Sequence, residues 1–316
     1  MPLHGNGSAF TLPRVARSAA VLVGLPALWG HDALTFDCSQ EDAVPHQGHE
    51  RGNVLRCTAL GLVLLGCVAA TPAQAQYAEP NLTFIYPLLT RRPVIERELE
   101  LKLEHAKGQG AHETEAAAAI EWPLLPRLQI EFEVPFVVHA PDDAPTLAGF
   151  GDVTLEAKLQ VWKSVQYRTL GAFGLEQRFP TGSSARGLGG AHSLEPFLTA
   201  GIALGPFDLL GEVAYEWVLN GEEHPHEQDF TARLTLGYPV SWWFRPLLEV
   251  STVTQTRGPA TPPGETALLH KTQVSLVPGF NIRPRPWMTL RVGVEVPVTT
   301  AKAFDYRFLS ALVVEF

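Results

Sequence analysis

The sequence predicts an all-β fold: a transmembrane antiparallel up-and-down β-barrel of about 12 strands, with both termini on the periplasmic side. Three observations lead to this prediction. Apolar and polar residues alternate along successive segments from Val94 onward, the connections alternate between short and long, and the last strand runs to the C-terminal residue, Phe316. A strand that ends the chain needs an earlier partner, and a closed barrel provides one because it leaves no strand edge unpaired.

The composition of the chain fits this fold without requiring it. Hydrophobic residues make up 46% of the 316 residues and charged residues 18%. A globular protein has such a composition, and so does a barrel in which every second strand residue faces lipid. Past residue 76, no stretch offers the roughly 20 consecutive apolar residues that a membrane-spanning helix needs. The sequence therefore argues against a helical membrane protein.

The N-terminal region predicts export. Residues 54–75 carry one positive charge and an apolar run, and they end in an Ala73-x-Ala75 site. This pattern is typical of a secretory signal peptide. A buried core helix and lipoprotein processing at Cys67 are the alternatives.

Cleavage after this signal would set the boundaries of the mature chain. Residues 1–53 show no periodic pattern, and we interpret them as a non-native or disordered leader; residues 76–93 are then a periplasmic lead-in and residues 94–316 the barrel. All three cysteines lie before the cleavage site, so the mature chain has no disulfide framework. The first 75 residues hold four Lys/Arg and five Asp/Glu, which leaves a net charge of −8. This acidic balance argues against nucleic acid as a partner.

Each predicted strand places apolar side chains on one face and polar side chains on the other. In the third strand, for example, Ile130 and Phe132 alternate with Glu131 and Glu133. The 12 strands are expected at residues 95–105, 114–122, 128–136, 153–161, 169–179, 194–204, 207–217, 229–238, 244–254, 274–280, 288–296 and 306–316. The last strand should pair antiparallel with the first and close the barrel.

The connections and the aromatic residues predict how the barrel sits in a membrane. Short links (123–126, 164–168, 205–206, 241–243 and 283–286) alternate with long ones (139–149, 181–193, 220–228 and 255–269). Short periplasmic turns and longer extracellular loops are typical of outer-membrane barrels.

Aromatic residues form two bands, as membrane interfaces favour. The band at the short-turn end contains Trp122, Trp162, Tyr238, Trp242, Trp243, Trp287 and Phe316, and the band at the long-loop end Phe136, Phe179, Phe197, Trp217, Phe230 and Tyr306. A soluble barrel or sandwich with these aromatics in its core is the alternative.

The ionisable residues of the strands are the best functional candidates. Charged groups at membrane depth must face one another or water, because exposing them to lipid costs several kcal/mol, on the order of 2–4. We therefore expect the following residues to line the lumen: Glu98, Glu100, Lys102, Glu131, Glu133, Glu156, Lys158, Glu176, Arg178, Glu212, Glu216, Arg233, Glu249, Lys271, Arg291, Glu295 and Arg307. They could border a narrow, net-acidic aqueous pore, or they could pair and fill the lumen. The sequence leaves both possibilities open.

Two short motifs point to a family. Gly149-Phe150-Gly151-Asp152, followed by Lys158 in the same strand, resembles the Gly-x-Gly-Asp…Lys strand of a bacterial outer-membrane family named after the meta-pathway of phenol degradation. Pro180-Thr181-Gly182 resembles that family's Pro-Thr-Gly turn. The resemblance spans about residues 80–316. It implies a barrel that admits small, often hydrophobic compounds and implies no catalytic residues.

Enzymatic and metal sites are weakly indicated. Glu131 and Glu133 share a face, but any alternating lumen strand produces such pairs, so we expect no catalytic residue and no cofactor. His224 and His226 are weak candidates for a metal ligand, without the spacing of a known site. His105 has the lipid-facing position of a barrel lipase base, yet its expected neighbour across the hairpin is Thr114 rather than Ser.

Together these features predict an outer-membrane channel or transporter of a Gram-negative bacterium that passes small, hydrophobic or aromatic molecules. A structural or adhesive barrel without transport is the alternative, and an outer-membrane lipid hydrolase comes third. The expected partners are outer-membrane lipid, a small-molecule solute, and the barrel-assembly machinery, which the resemblance of the terminal strand implies would recognise Phe316.

Overall fold

A computed structural model describes residues 82–108, 110–220, 226–258 and 268–316. The leader (residues 1–53), the signal peptide (residues 54–75) and the first residues of the lead-in lie outside the described residues. Of the two histidines named as metal candidates, His224 also lies outside them, whereas His226 is described.

Thirteen strands and one short 3₁₀ helix, Ser184–Arg186, form the described structure. The strands are β1 (Glu98–Gly108), β2 (Ala111–Leu125), β3 (Leu128–Pro141), β4 (Leu147–Phe150), β5 (Thr154–Ser164), β6 (Thr169–Arg178), β7 (His192–Leu204), β8 (Phe207–Asn220), β9 (Gln228–Gly237), β10 (Phe244–Arg257), β11 (Thr272–Arg285), β12 (Met288–Pro297) and β13 (Phe304–Glu315). In the described part of the chain, no helix has the length and apolar character needed to cross a membrane.

The strands close into a 12-strand antiparallel barrel, which confirms the predicted fold class. Apart from the short β4, strands that follow one another along the chain lie side by side, and β1 pairs with β13 in the register Glu98↔Glu315 to His105↔Phe308. The predicted pairing of the first and last strands is therefore confirmed. The short β4 adds no position to the barrel, because β4 and β5 pair in turn with the two halves of β3.

The region of β4 differs from the predicted long loop at residues 139–149. Prolines and aspartates at residues 141–145 indicate a loop, but β3 continues to Pro141 and β4 pairs back onto it through Phe136↔Phe150. The register then shifts by one residue before Glu133↔Thr154. Such a bulge breaks the strict alternation on which the strand prediction depends.

The two faces of the strands differ as a membrane barrel requires. Outward side chains such as Leu198 and Leu234 are exposed, whereas Thr235 and Glu249 are fully buried inside. Every tryptophan and tyrosine of the predicted band at the short-turn end is exposed. At the long-loop end, Phe136, Trp217, Phe230 and Tyr306 are exposed as well.

The prediction that Phe197 belongs to the aromatic band at the long-loop end is wrong. Its side chain is only 2% exposed, and it shares its strand face with the buried Glu195 and Thr199. The period of two along β7 therefore places the ring of Phe197 in the lumen rather than against lipid.

The lumen contains the chain that precedes β1, which we call the inward segment (residues 82–97). Its apolar side chains pack against inward residues of the strands in one buried cluster: Leu82, Phe84, Ile85, Leu88, Leu89, Val94, Leu170, Ala203, Leu210, Leu247, Val277 and Leu309. Inward-facing glycines make room for this packing at several points. The barrel thus has an apolar core inside the half nearer the short turns.

Candidate functional site

The lumen is the candidate functional site, and the structure places nearly all of the predicted lining residues in it. Glu98, Glu100, Lys102, Glu133, Glu156, Lys158, Arg178, Glu212, Glu216, Arg233, Glu249, Arg291, Glu295 and Arg307 are buried, and Glu131 and Glu176 are half-buried. Lys271 is the exception, since it lies exposed in the loop before β11. Lys271 lies one residue before β11, so the alternation of the strand does not apply to it.

Ion pairs connect the strands across one side of the lumen. Lys102 lies 2.6 Å from Glu133 and 3.3 Å from Glu131. Arg307 pairs with Glu104 at 3.0 Å and with Glu295 on the neighbouring strand. Buried charges are tolerated when they are paired in this way.

Arg91, near the tip of the inward segment, is held by four carboxylates from four strands. Its guanidinium lies 2.9 Å from Glu156, 2.6 Å from Glu176, 2.7 Å from Glu195 and 2.9 Å from Glu212. We call these four residues the carboxylate basket. All three guanidinium nitrogens donate to it, so one side chain ties β5, β6, β7 and β8 together.

The aromatic ring of Phe197 completes the basket. The Cζ atom of Arg91 lies 4.4 Å from the centre of this ring, within the range of a cation–π interaction. The hydroxyl of Thr199 donates a hydrogen bond to the carbonyl of Arg91. The carboxylate basket therefore contacts the edges of the Arg91 guanidinium, and Phe197 contacts one of its faces.

The backbone of the inward segment is bound by side chains of the wall. Glu249 accepts hydrogen bonds from the backbone N–H groups of Leu88, Leu89 and Thr90 and from the Thr90 hydroxyl, the last at 2.8 Å. Asn281 both accepts from and donates to Tyr86, at 3.0 and 2.9 Å. A buried segment without regular structure needs such partners, which explains why Glu249 and Asn281 are polar.

Tyr86 anchors the segment close to the seam between the first and last strands. Its hydroxyl lies 2.9 Å from both Glu98 and Glu315, and the guanidinium of Arg92 lies 3.7 Å from the centre of its ring. Burial, together with the neighbouring Glu96 and Glu98, raises the pKa of Tyr86 well above its ordinary value. The hydroxyl therefore stays protonated and can donate its single proton to one of these carboxylates at a time.

The two family motifs meet at the long-loop end. Asp152 accepts hydrogen bonds from the backbone N–H groups of Gly182 at 2.8 Å, Gly190 at 2.8 Å and Ala191 at 3.1 Å. The Thr181 hydroxyl accepts from the backbone N–H of Val153 at 2.9 Å. The motif residues thus fasten the loop between β6 and β7 to the bulge between β4 and β5.

The fastened loop packs a side chain back onto the first motif. Leu188 is 1% exposed, and a methyl group on Gly149 would lie 3.0 Å from its Cδ1 atom. Pro180 lies in this loop, two residues after the end of β6. Lys158, the remaining motif residue, lies deeper in the barrel, 3.6 Å from Glu121.

A polar cavity of about 80 Å³ remains in the lumen. It reaches from the basket, including Glu156 and Glu195, to Asp152 and Arg178 near the long-loop end. Among the described buried residues, 14 are Asp or Glu and seven are Lys or Arg. The interior is therefore acidic, and the half-buried Arg91, which is not among these seven, offsets part of this charge.

The described residues contain one group of acids close enough to share a metal ion: Glu96, Glu98 and Glu121. Arg92 pairs with Glu96, the Tyr86 hydroxyl donates to Glu98, and Lys158 lies near Glu121, so this group is already engaged by internal partners.

On the outer face, His105 lies 2.9 Å from the Thr114 hydroxyl, and its ring stacks on that of His112.

This architecture defines the class of the protein: an outer-membrane β-barrel of porin-like fold. The chain belongs to the family described as "Putative MetA-pathway of phenol degradation", whose model matches residues 118–306. The family indicated by the motifs of β4, β5 and the following loop is therefore confirmed.

Solved structures with a similar fold are outer-membrane barrels. The COG4313 outer membrane channel from Pseudomonas putida F1 aligns with a TM-score of 0.59 and 13% identity, over 76% of this chain and 100% of that chain. The NanC porin aligns with a TM-score of 0.48 and 10% identity, over 69% of this chain and 98% of that chain. No curated protein matches the chain significantly.

Sequence reasoning missed the residues of the inward segment, above all Arg91. Residues 82–97 have no period that would reveal which side chains are buried. Two signals could have pointed to them: the inward carboxylates outnumber the inward cations, and several glycines occupy inward positions of strands. Both indicate that something else in the chain fills the lumen.

Proposed function

We propose that this protein is a passive outer-membrane channel for small molecules, and that the inward segment closes it at rest. The channel of Pseudomonas putida F1 with the same fold supports the first part. The observation that carries the second part is the course of residues 82–97 through the lumen. Along this course the backbone N–H of Ile85 donates to Asp208 and the side chain of Arg91 donates to Glu156. Passage of a solute larger than water would require this segment to move.

The way in which the segment is held supports reversible closure. Its polar attachments are hydrogen bonds and ion pairs to wall side chains, such as Asn281 with Tyr86 and Thr235 with Thr90 at 2.7 Å. These attachments can be exchanged for water. The strand hydrogen bonds of the barrel do not depend on them, so the wall can persist while the segment rearranges.

The remaining parts of the proposal concern location. A signal peptide at residues 54–75 would export the chain, the short turns and both termini would face the periplasm, and the assembly machinery would recognise the strand that ends at Phe316. The acidic interior favours cations and polar solutes over anions. Small hydrophobic or aromatic compounds, which the family resemblance implies, are the other solutes to test.

A barrel without transport is the second candidate function, and the filled lumen is the observation that favours it. Planar-bilayer recordings decide between the two. We compare the mature chain with a variant that lacks residues 82–93, after confirming by heat-modifiable gel mobility that both are folded. The channel proposal predicts a several-fold higher conductance for the deletion variant. Equal, negligible conductance of two folded proteins would overturn it in favour of the structural barrel.

A further inference from the structure

We propose that the carboxylate basket is a binding site for organic cations with a guanidinium group, and that such a solute competes with Arg91 for it. This inference rests on the proposed channel function, because it names the solute class that would open the lumen. Arg91 would then act as a ligand supplied by the chain itself, which occupies the site until a solute takes its place.

The first argument is the shape of the site. Nε of Arg91 donates to Glu156, Nη1 to Glu212, and Nη2 to both Glu176 and Glu195. A planar cation with donors on all its edges satisfies this arrangement, as the guanidinium does. The ring of Phe197 contacts one of its two faces. A compact ammonium group could not reach all four carboxylates at once.

The second argument is charge. Glu156, Glu176 and Glu195 each pair with Arg91, while Glu212 also lies 2.7 Å from Arg233. Removing the Arg91 side chain would leave several carboxylates close together inside a barrel. Buried carboxylates without a counter-charge are costly, so the basket should take up another cation when Arg91 leaves.

The third argument is access. The basket borders the cavity, which extends to Asp152 at the long-loop end and is also lined by Leu89 of the apolar cluster. A solute that enters between the long loops could reach the basket through this cavity. Arg178 lines the same cavity, and its buried Nε–H has no acceptor in the described part of the chain. A solute that also carries a hydrogen-bond acceptor could use this donor.

The test uses Nα-acetyl-L-argininamide, which carries a guanidinium and amide acceptors, and Nα-acetyl-L-citrullinamide, in which a neutral urea replaces the guanidinium. Binding to the full mature protein in detergent is measured by isothermal titration calorimetry. We expect Arg91→Ala to bind the arginine compound at least tenfold more tightly than the wild type, and Arg91→Lys to fall between them. Glu176→Gln with Glu195→Gln in the Arg91→Ala background should reverse the gain. Arg186→Ala, at an exposed loop position, is the matched control and should bind as the wild type does.

Two results would overturn the inference, each obtained with an Arg91→Ala or Arg91→Lys variant that gel mobility shows to be folded. In the first, the variant binds neither compound. In the second, the variant binds the citrulline compound as tightly as the arginine compound. Failure of the channel proposal looks different. In that case neither the wild type nor the variant lacking residues 82–93 conducts, while the tenfold difference in binding persists. If the inference alone fails, the deletion variant conducts and the binding difference is absent.

Discussion

Ile85 occupies the space directly above Gly237, so that a methyl group on this glycine would lie 2.7 Å from the Cδ1 and Cγ2 atoms of the isoleucine. Ile85 is fully buried, so a side chain on Gly237 could be accommodated only if the inward segment moved. The absence of a side chain on β9 is therefore part of the fit between the wall and the inward segment.

This fit predicts that Gly237→Val loosens the inward segment. Overpacking of a filled core costs about 1–3 kcal/mol, and here the segment can relieve it by leaving the wall. We expect a higher single-channel conductance and a barrel of unchanged gel mobility. Gly211→Ala is the control, because a methyl group there would find its nearest neighbour at 3.8 Å. An unchanged conductance for Gly237→Val would show that the segment does not limit passage at this point.

Asp152 should hold the loop between β6 and β7 in place. Asp152→Asn replaces a charged acceptor of three backbone N–H groups, and hydrogen bonds to charged groups contribute about 1.5–3 kcal/mol. We expect faster trypsin cleavage after the exposed Arg186 in this loop. Asp142→Asn, at an exposed position on another loop, should leave the cleavage rate unchanged. Equal rates for both variants would contradict the role assigned to the motif.

Arg307 should be important for barrel stability. Removal of one partner from a buried ion pair costs about 3–5 kcal/mol, because the remaining charges stay buried. Arg307→Ala leaves Glu104 and Glu295 without this cation, and urea unfolding in lipid vesicles should show a loss of that size. Lys302→Ala breaks the exposed pair with Asp305, for which a change within about 1 kcal/mol is expected. Similar losses for both variants would argue that the lumen is hydrated enough to screen Arg307.

Phe316 contributes to the structure as well as to the proposed recognition by the assembly machinery. Its ring and that of Trp122 lie 5.1 and 4.1 Å from the guanidinium of Arg97, so Phe316→Ala should lower stability by about 0.5–2 kcal/mol. Refolding in detergent should be mildly affected, and the yield of assembled barrel in cells strongly reduced. Phe308→Ala on the same strand is the control. An equal effect of Phe316→Ala in both assays would argue against recognition of the terminal residue.

The barrel was predictable because its rule is local. A period of two along β1 or β8 separates the lipid face from the lumen face, and the alternation of short and long links orders the strands. The period failed at the bulge after Phe150, where the chain departs from it. At Phe197 the period holds, and the error came from assigning an aromatic residue to a membrane band.

The contents of the lumen were not predictable in this way. Residues 82–97 form no regular structure, and their partners lie far away in sequence, as with Leu88 and Glu249, which are separated by 161 positions. Composition could reveal an excess of inward carboxylates but not the cation that occupies them. The inward position of Arg91 depends on the tertiary structure alone.

The central claim, that the inward segment closes the lumen, is tested most directly by locking it in place. The Thr90 and Thr235 hydroxyls lie 2.7 Å apart, and the predicted mature chain has no cysteine, so Thr90→Cys with Thr235→Cys can form a single disulfide between the segment and β9. Thr254→Cys with Thr272→Cys is the matched control. The hydroxyls of this cross-strand pair lie 2.8 Å apart, and the pair does not involve the inward segment. We expect the oxidised lock to abolish conductance in planar bilayers and dithiothreitol to restore it, with no redox effect in the control. Equal conductance of the locked protein before and after reduction would contradict the account.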